Sequence, residues 1–287
     1  MRDVRTSATA SITAPELSFA SAANGKGMSG CAVVENDRET GPRLKFYSQR
    51  ADVTYWTRLW NAQRDLPYDR ERRGHLPHQL RDTFTRWVKP GAKVLEAGCG
   101  TGRFTVAIDA LGYRAEGLDW SSDTIAQMRR RFPAIAWHVG DVRELHFETG
   151  SLDAIYSPGV CEHFEEGPAE VLLETHRVLR PGGIAVVSTP CFNDWLRRHA
   201  PATAGKHVPD GLEFYQYAFT PDGMARLLTR LGFDVLQIRP YASLATFTRH
   251  LGVELPPRLT RPLALALDYL PAIRQWGSTC IWVARKC

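Results

Sequence analysis

No run of apolar residues in this 287-residue sequence approaches the ~20 that a membrane-crossing helix requires. The N-terminus lacks the apolar core of a signal peptide, so the expected compartment is the cytoplasm. The six cysteines, Cys31, Cys99, Cys161, Cys191, Cys280 and Cys287, include no CxxC pair and no regular spacing. That excludes a disulfide framework or a zinc site as the organising feature and suits a reducing environment. His75 and His78 stand three apart with no carboxylate or third ligand beside them, so no metal is expected. Lysine is scarce too, at only Lys26, Lys45, Lys89, Lys93, Lys206 and Lys286 among 36 basic residues. The arginines that make up the rest are spread along the chain, and the net charge is a mild +5. Without a basic block, no nucleic-acid partner is expected. What is present is an ordinary globular composition, 44% hydrophobic and 23% charged, which can bury a core without staples.

Residues 1–44 are rich in Ser, Ala, Thr and Gly and show no sustained period of 2 or 3.6, which predicts a disordered tail. A single domain is expected over 45–287. Tyr55, Trp56, Leu59 and Trp60 fall on one helix face, and Leu76, Leu80, Phe84 and Trp87 on another, so 45–88 is read as an N-terminal helical lid. Strands then alternate with helices. The strands are Lys93–Ala97, Arg114–Leu118, Ala136–Val139, Leu152–Tyr156, Ile184–Ser188, Phe233–Ile238 and Thr279–Ala284. The helices are Phe104–Leu111, Asp123–Arg131, Ala169–Leu179 and Pro221–Leu231, the last with Thr220 as N-cap. Helices of about ten residues between strands imply right-handed βαβ crossovers and a doubly wound, mostly parallel α/β sheet.

Three features fall in the order a nucleotide-type cofactor needs. Glu96-Ala-Gly98-Cys99-Gly100-Thr-Gly102 is a glycine loop between a strand and a helix, where the backbone can approach a ligand without Cβ clashes. Asp119 closes the second strand about 20 residues on, where an acid can accept both ribose hydroxyls. Gly140-Asp141-Val142 closes the third, where Asp141 can accept the adenine amine. All three lie at the carboxyl edge of the sheet beside its switch point.

Together with Leu179-Arg-Pro-Gly-Gly183, these motifs resemble class I S-adenosylmethionine-dependent methyltransferases over roughly residues 83–238 and the last strand. The resemblance implies a Rossmann-like, seven-stranded sheet with a reversed final hairpin. It also implies that Glu96 and the backbone of Gly98–Gly102 hold the methionine moiety, Asp119 the ribose and Asp141 the adenine. Cys99 in the loop, Trp120 and Val142 beside the acids, and Ser157 after the fourth strand complete the expected cofactor contacts, with Tyr68 and Arg72 reaching over as lid contacts. The acidic residue opening the loop speaks against a NAD enzyme, whose loop opens with glycine and needs room for a pyrophosphate.

A sulfonium is already an activated methyl donor, so positioning and desolvation supply most of the acceleration, and an oxygen acceptor can in addition use a base. The segment Ser157–Phe164 should face the methyl group if the resemblance holds, which makes His163 the expected catalytic base. Ser157-Pro-Gly-Val160 does not match the Asn/Asp-Pro-Pro-Tyr/Phe loop of amino-directed adenine and glutamine enzymes. Thr189-Pro-Cys191 lacks the second Pro-Cys of cytosine-C5 enzymes. Two insertions, 190–219 and 239–276, fall on the cofactor's edge and are read as helical caps holding the acceptor. The second is apolar and basic, with Leu263–Leu267 and Leu270 flanked by Arg258, Arg261 and Arg274, so peripheral membrane contact through 258–276 is expected. The sequence therefore points to methyl transfer to a small-molecule, sugar or lipid-linked acceptor, most simply at oxygen. Transfer to nitrogen, to RNA or protein, and binding of the cofactor without catalysis remain the alternatives.

Overall fold

A computed structural model describes residues 31–199, 208, 210–244 and 256–287. The first described element overturns part of the expected tail. Strands β1 (Cys31–Asp37) and β2 (Gly41–Ser48) form an antiparallel hairpin. Its turn is closed by Asp37, whose Oδ1 accepts from the backbone N–H of Glu39 and Thr40 at 2.9 and 2.7 Å. Leu44, Phe46 and Ser48 are buried at alternate positions, the period-2 signature of a strand with one covered face. Residues 1–30, the rest of the expected tail, lie outside the described residues.

The helices α1 (Val53–Ala62) and α2 (His78–Trp87) follow, but only α1 stands over the cofactor loop. Leu76, Leu80 and Phe84 pack with Val94, Ala154, Val186 and Val283 against a sheet face, so α2 is a core helix and the lid expected over 45–88 reduces to α1. The alternating segment then runs β3 (Lys93–Ala97), α3 (Arg103–Ala110), β4 (Arg114–Asp119), α4 (Ser122–Arg131), β5 (Ala136–Val139) and β6 (Leu152–Pro158). It continues α5 (Ala169–Val178), β7 (Leu179–Pro190), α6 (Asp194–His199), β8 (Glu213–Phe219), α7 (Pro221–Arg230) and β9 (Phe233–Tyr241). The chain closes with α8 (Pro257–Tyr269), α9 (Pro271–Arg274) and β10 (Thr279–Lys286).

Seven strands form one sheet in the order β5-β4-β3-β6-β7-β10-β9, parallel except for β10, which pairs antiparallel with both neighbours. The order reverses between β3 and β6, so the loops after these strands frame the crevice where such sheets bind ligands. Successive residues of each inner strand serve opposite layers. Leu95, Ile155, Val187 and Trp282 face α5 and α7, while Val94, Ala154, Val186 and Val283 face α2 and α3. Burial on both faces explains why these strands read as continuous apolar runs.

The second correction concerns the insertion at 190–219. It is not wholly helical. Strand β8 pairs antiparallel with β2, so a three-stranded sheet, β1-β2-β8, stands beside the main one. Residues 200–207 and 209 of that insertion lie outside the described residues, as do 245–255 of the second. Of the second insertion, residues 239–241 continue β9, and α8 and α9 supply its described helices. Helix α8 is anchored by buried Asp268, whose carboxylate accepts from Gln79 Nε2 at 2.8 Å and from the backbone N–H of Ser243 and Ala242 at 3.0 and 3.2 Å.

The small sheet is locked to the main fold at Gly223, on the first turn of α7. A Cβ added there would overlap the Thr40 carbonyl oxygen and stand 2.6 Å from Thr220 Oγ1. Alanine gains about 1 kcal/mol over glycine in a helix, whereas overpacking costs roughly 1–3 kcal/mol and occasionally more. A backbone carbonyl cannot rotate aside, so the clash should win. We expect Gly223→Ala to lower the melting temperature, at about 2–4 °C per kcal/mol lost; a thermal unfolding curve at or above that of the wild type would refute the tight junction.

Candidate functional site

The glycine loop is folded onto the end of β4, with the N–H groups of Gly98 and Cys99 both donating to Leu118 O at 2.8 Å. Two carboxylates then pin it from beneath. Asp119 accepts from Gly100 N–H through Oδ2 and from Ser121 N–H through Oδ1, each at 2.9 Å. Glu96 accepts from Thr105 N–H at 2.7 Å and also from the Thr105 hydroxyl. Helix α3 starts from Gly102 with no side-chain cap of its own, so Glu96, reaching from the preceding strand, supplies the acceptor its first turn lacks. Gly100 has φ +49°, and a Cβ there would stand 2.8 Å from the Trp60 ring, so the lid helix rests on the loop itself. Side-chain hydrogen bonds Thr57–Ser121 (2.8 Å) and Gln127–Asn61 (2.7 Å) fasten α1 to the start of α4.

Both carboxylates are buried. Burial, with the Asp119 charge nearby, pushes Glu96 up to about 8 against the pull of its Thr105 hydrogen bonds. Burial raises Asp119 also. Two acids held out of water side by side favour a cationic ligand. Each hydrogen-bonded oxygen of Asp119 keeps a further lone pair for a hydroxyl donor. These residues fit the cationic, ribose-bearing cofactor that the sequence motifs imply.

The other expected contacts divide. Cys99 and Ser157 are buried at the loop, and Ser157 Oγ donates to Ala97 O at 3.2 Å. Trp120 is partly exposed beside Asp119. Val142 packs its side chain into the core, leaving only its backbone free to face a ligand. Asp141 is paired with Arg143 at 2.7 Å, which holds its carboxyl below the usual range despite partial burial. Tyr68 is buried among Phe132, Met128 and Arg131, and its hydroxyl donates to Thr101 O of the loop. Arg72 lies over Phe132, 4.7 Å from the ring centroid, and not on the loop.

Beside the loop lies an aromatic cluster that joins His163 to Tyr55, Trp56 and Trp60 of the lid helix and to Tyr215 of the first insertion. The His163 ring stands edge-on to Trp56 and Tyr215, with centroids 4.9 and 5.3 Å away. Trp56 stacks on Trp60 at 5.4 Å, and the hydroxyls of Tyr55 and Tyr215 are 3.5 Å apart. His163 Nδ1 is 2.8 Å from the carbonyl oxygen of Tyr215. A carbonyl only accepts, so Nδ1 carries the proton and Nε2 presents a lone pair. That nitrogen is buried and has no hydrogen-bond partner among the described residues. Burial lowers His163 to about 4, the Tyr215 hydrogen bond opposing, so the ring is neutral at pH 7.

The Tyr215 carbonyl is available because β8 is irregular there. Phe46 pairs with Gln216 and Tyr47 with Phe214, which leaves Tyr215 as the extra residue of a β-bulge. The small sheet grips the next stretch too. Tyr217 Oη donates to Glu165 O at 2.8 Å and Lys45 Nζ pairs with Glu165 at 2.9 Å. The sequence signal was present in the alternation of Phe214–Phe219, but its ladder partner lies about 170 residues earlier.

Residues 94–183 match the protein family described as "Methyltransferase domain". A 37.1 kDa protein in a transposon of Streptomyces fradiae is 30% identical over 197 residues, 65% of this chain and 56% of its own length. A Mycolicibacterium smegmatis protein named a probable S-adenosylmethionine-dependent methyltransferase is 32% identical over 174 residues, 54% of this chain and 66% of its own. The chain therefore spans between half and two thirds of the length of these relatives. In fold, it is similar to a chain from a Haloferax volcanii complex of the Trm112 methyltransferase activator and a methyltransferase. The TM-score is 0.53 at 19% identity, over 82% of this chain and 96% of that one.

The raised Glu96 fixes a direction for stability. An acid whose pKa is higher folded than unfolded stabilises most below the unfolded value and loses that contribution as pH rises through the folded one. For Glu96 the window runs from its ordinary 4.5 to about 8. The ligand-free protein should therefore lose stability between pH 5 and pH 8.5, and Glu96→Gln should lose less. Thermal melts at both pH values that fall equally for the two proteins would show that Glu96 is ionised throughout.

Proposed function

We propose that this chain, which carries a methyltransferase domain of the class I S-adenosylmethionine-dependent family, transfers a methyl group from that cofactor to a hydroxyl of a small-molecule acceptor held between α1 and β8. The carrying observation is His163: a neutral imidazole of fixed tautomer, with its unpartnered Nε2 in the aromatic cluster beside the glycine loop.

The cofactor supplies an electrophilic methyl carbon bound to a positively charged sulfur. The chain supplies the rest. Glu96, Asp119 and the closely approachable backbone of the glycine loop bind and orient the cofactor, and Trp56, Trp60 and Tyr215 exclude water from the acceptor. His163 Nε2 would take the hydroxyl proton as the acceptor oxygen gained the methyl group, the carbon–sulfur electron pair remaining with the cofactor. A base lowered to about 4 suffices, because the hydroxyl becomes strongly acidic as its oxygen is alkylated. The exposed Leu259, Leu263 and Leu270 on and just after α8 support an acceptor with an apolar portion, or a lipid-linked one approached from a membrane surface.

Removing a general base typically costs about 10²–10⁴-fold in turnover. We expect His163→Ala to lose turnover on that scale while S-adenosylmethionine binding, followed by calorimetry, changes less than about threefold, because His163 lies outside the cofactor loop. Asp119→Ala should weaken cofactor binding by about 10–100-fold, the worth of one or two charge-assisted hydrogen bonds. Unchanged turnover in His163→Ala would leave positioning as the whole of the acceleration; no cofactor binding by the wild type would overturn the assignment.

A further inference from the structure

The 3₁₀ turn Cys161–His163 carries a second unpartnered polar atom next to the first. Glu162 is 1% exposed, and its Oε2 is buried with no hydrogen-bond partner among the described residues. The backbone N–H groups of Val160 and Glu162 donate to its carboxyl, and these bonds must fall on Oε1. Glu162 Oε2 and His163 Nε2 are not bonded to each other either. Glu162 and His163 are consecutive residues of one turn, and that turn lies against β8, with the His163 and Tyr215 ring centroids 5.3 Å apart, so both groups border the same aromatic cluster.

Buried polar atoms without partners are uncommon and costly, so two on consecutive residues point to a ligand that satisfies both. Their senses are opposite. Nε2 of His163 can only accept. Burial holds Glu162 up to about 8, so at neutral pH the carboxyl is protonated, and with Oε1 taken up by backbone donors its proton sits on Oε2. That oxygen donates.

Resting on the methyl-transfer reading above, we propose that Glu162 and His163 together read two neighbouring oxygens of the acceptor, one a hydroxyl and the other a hydrogen-bond acceptor. The substrate class is then a flat, uncharged ring carrying the hydroxyl to be methylated beside a second hydroxyl, ether or carbonyl oxygen. Its faces lie against Trp56 and Tyr215. His163 Nε2 takes the proton of the reacting hydroxyl, and the Glu162 proton stays in place throughout as a hydrogen bond to the neighbouring oxygen. An ammonium acceptor would instead need Glu162 ionised at neutral pH, against the effect of its burial.

The groups facing Glu162 are Cys161 and His163 on its own turn and Tyr215 from β8, with Tyr55 of α1 beyond the Tyr215 hydroxyl. Burial raises the Cys161 thiol and the Tyr215 phenol and lowers His163, away from the window near pH 8. A loss of activity through pH 8 at saturating cofactor, which takes Glu96 out of the profile, is therefore assigned to Glu162.

The test uses the full chain with saturating S-adenosylmethionine and three probes: catechol, phenol and benzylamine, with methylated product read by mass spectrometry. We expect catechol to be methylated at least about tenfold faster than phenol, because a site built to bond a substrate oxygen discriminates against its absence. Benzylamine should not be turned over. Glu162→Gln keeps a donor, so it should retain the catechol preference and lose the decline above pH 8, whereas Glu162→Ala should lose about tenfold on catechol. Equal rates on catechol and phenol, a preference for benzylamine, a decline above pH 8 that persists in Glu162→Gln, or no turnover of any probe by protein that binds the cofactor would each overturn this inference. Failure to bind the cofactor would instead overturn the reading on which it rests.

Discussion

The site depends on burying two carboxylates, Glu96 and Asp119, beneath one glycine loop. An acid taken out of water is costly unless hydrogen bonds or a positive charge compensate. Here the hydrogen bonds come from the loop and from the helix it starts: Gly100 and Ser121 N–H to Asp119, Thr105 N–H and hydroxyl to Glu96. The same contacts define the backbone. Glu96 ends one strand and caps α3, while Asp119 ends the next strand and holds the loop down. Tyr68 braces the loop through Thr101, and Trp60 rests on it at Gly100. The compensation is partial, since burial still raises both acids. The loop is thus shaped by the acids, and the acids remain in want of a cation.

The acceptor side is built by a different device. The bulge at Tyr215 frees a carbonyl from the β2–β8 ladder, and that carbonyl fixes the tautomer of His163. A regular ladder would have kept Tyr215 paired with the hairpin. The β1–β2 hairpin, far in sequence from the glycine loop, is therefore part of the acceptor site through β8. Gly223 transmits the same dependence, because the Thr40 carbonyl at the hairpin turn packs directly onto α7. Loosening the hairpin should disturb His163 before it disturbs the cofactor loop.

These two halves differ in how far they were legible in the sequence. The seven strands, their helices and the acids at their ends could be read because each rests on local periodicity and on turn residues at the element's own boundary. Glu96 and Asp119 declared themselves by position, although the capping of α3 by Glu96 is a three-dimensional fact with no sequence sign. The small sheet was not legible. Its third strand pairs with a hairpin about 170 residues earlier, and Val33-Val34 amid Ser- and Gly-rich surroundings is too short a signal alone. The place of α2, in the core rather than in a lid, was not legible for a related reason. Amphipathic spacing shows that a face is buried, not which surface buries it. The place of His163 after the fourth strand is visible in the sequence, whereas only the fold brings Trp56 and Tyr215 to it.

The buried acids of the two halves also make opposite demands. On the proposed reading, Glu96 and Asp119 await a positive charge, whereas Glu162 stays neutral and serves as a donor. A cationic cofactor favours the ionised form of Glu96, so binding expels a proton from an acid otherwise held at about 8. The acceptor side makes no such demand: its two orphaned atoms, Glu162 Oε2 and His163 Nε2, ask for hydrogen-bond partners and not for a charge.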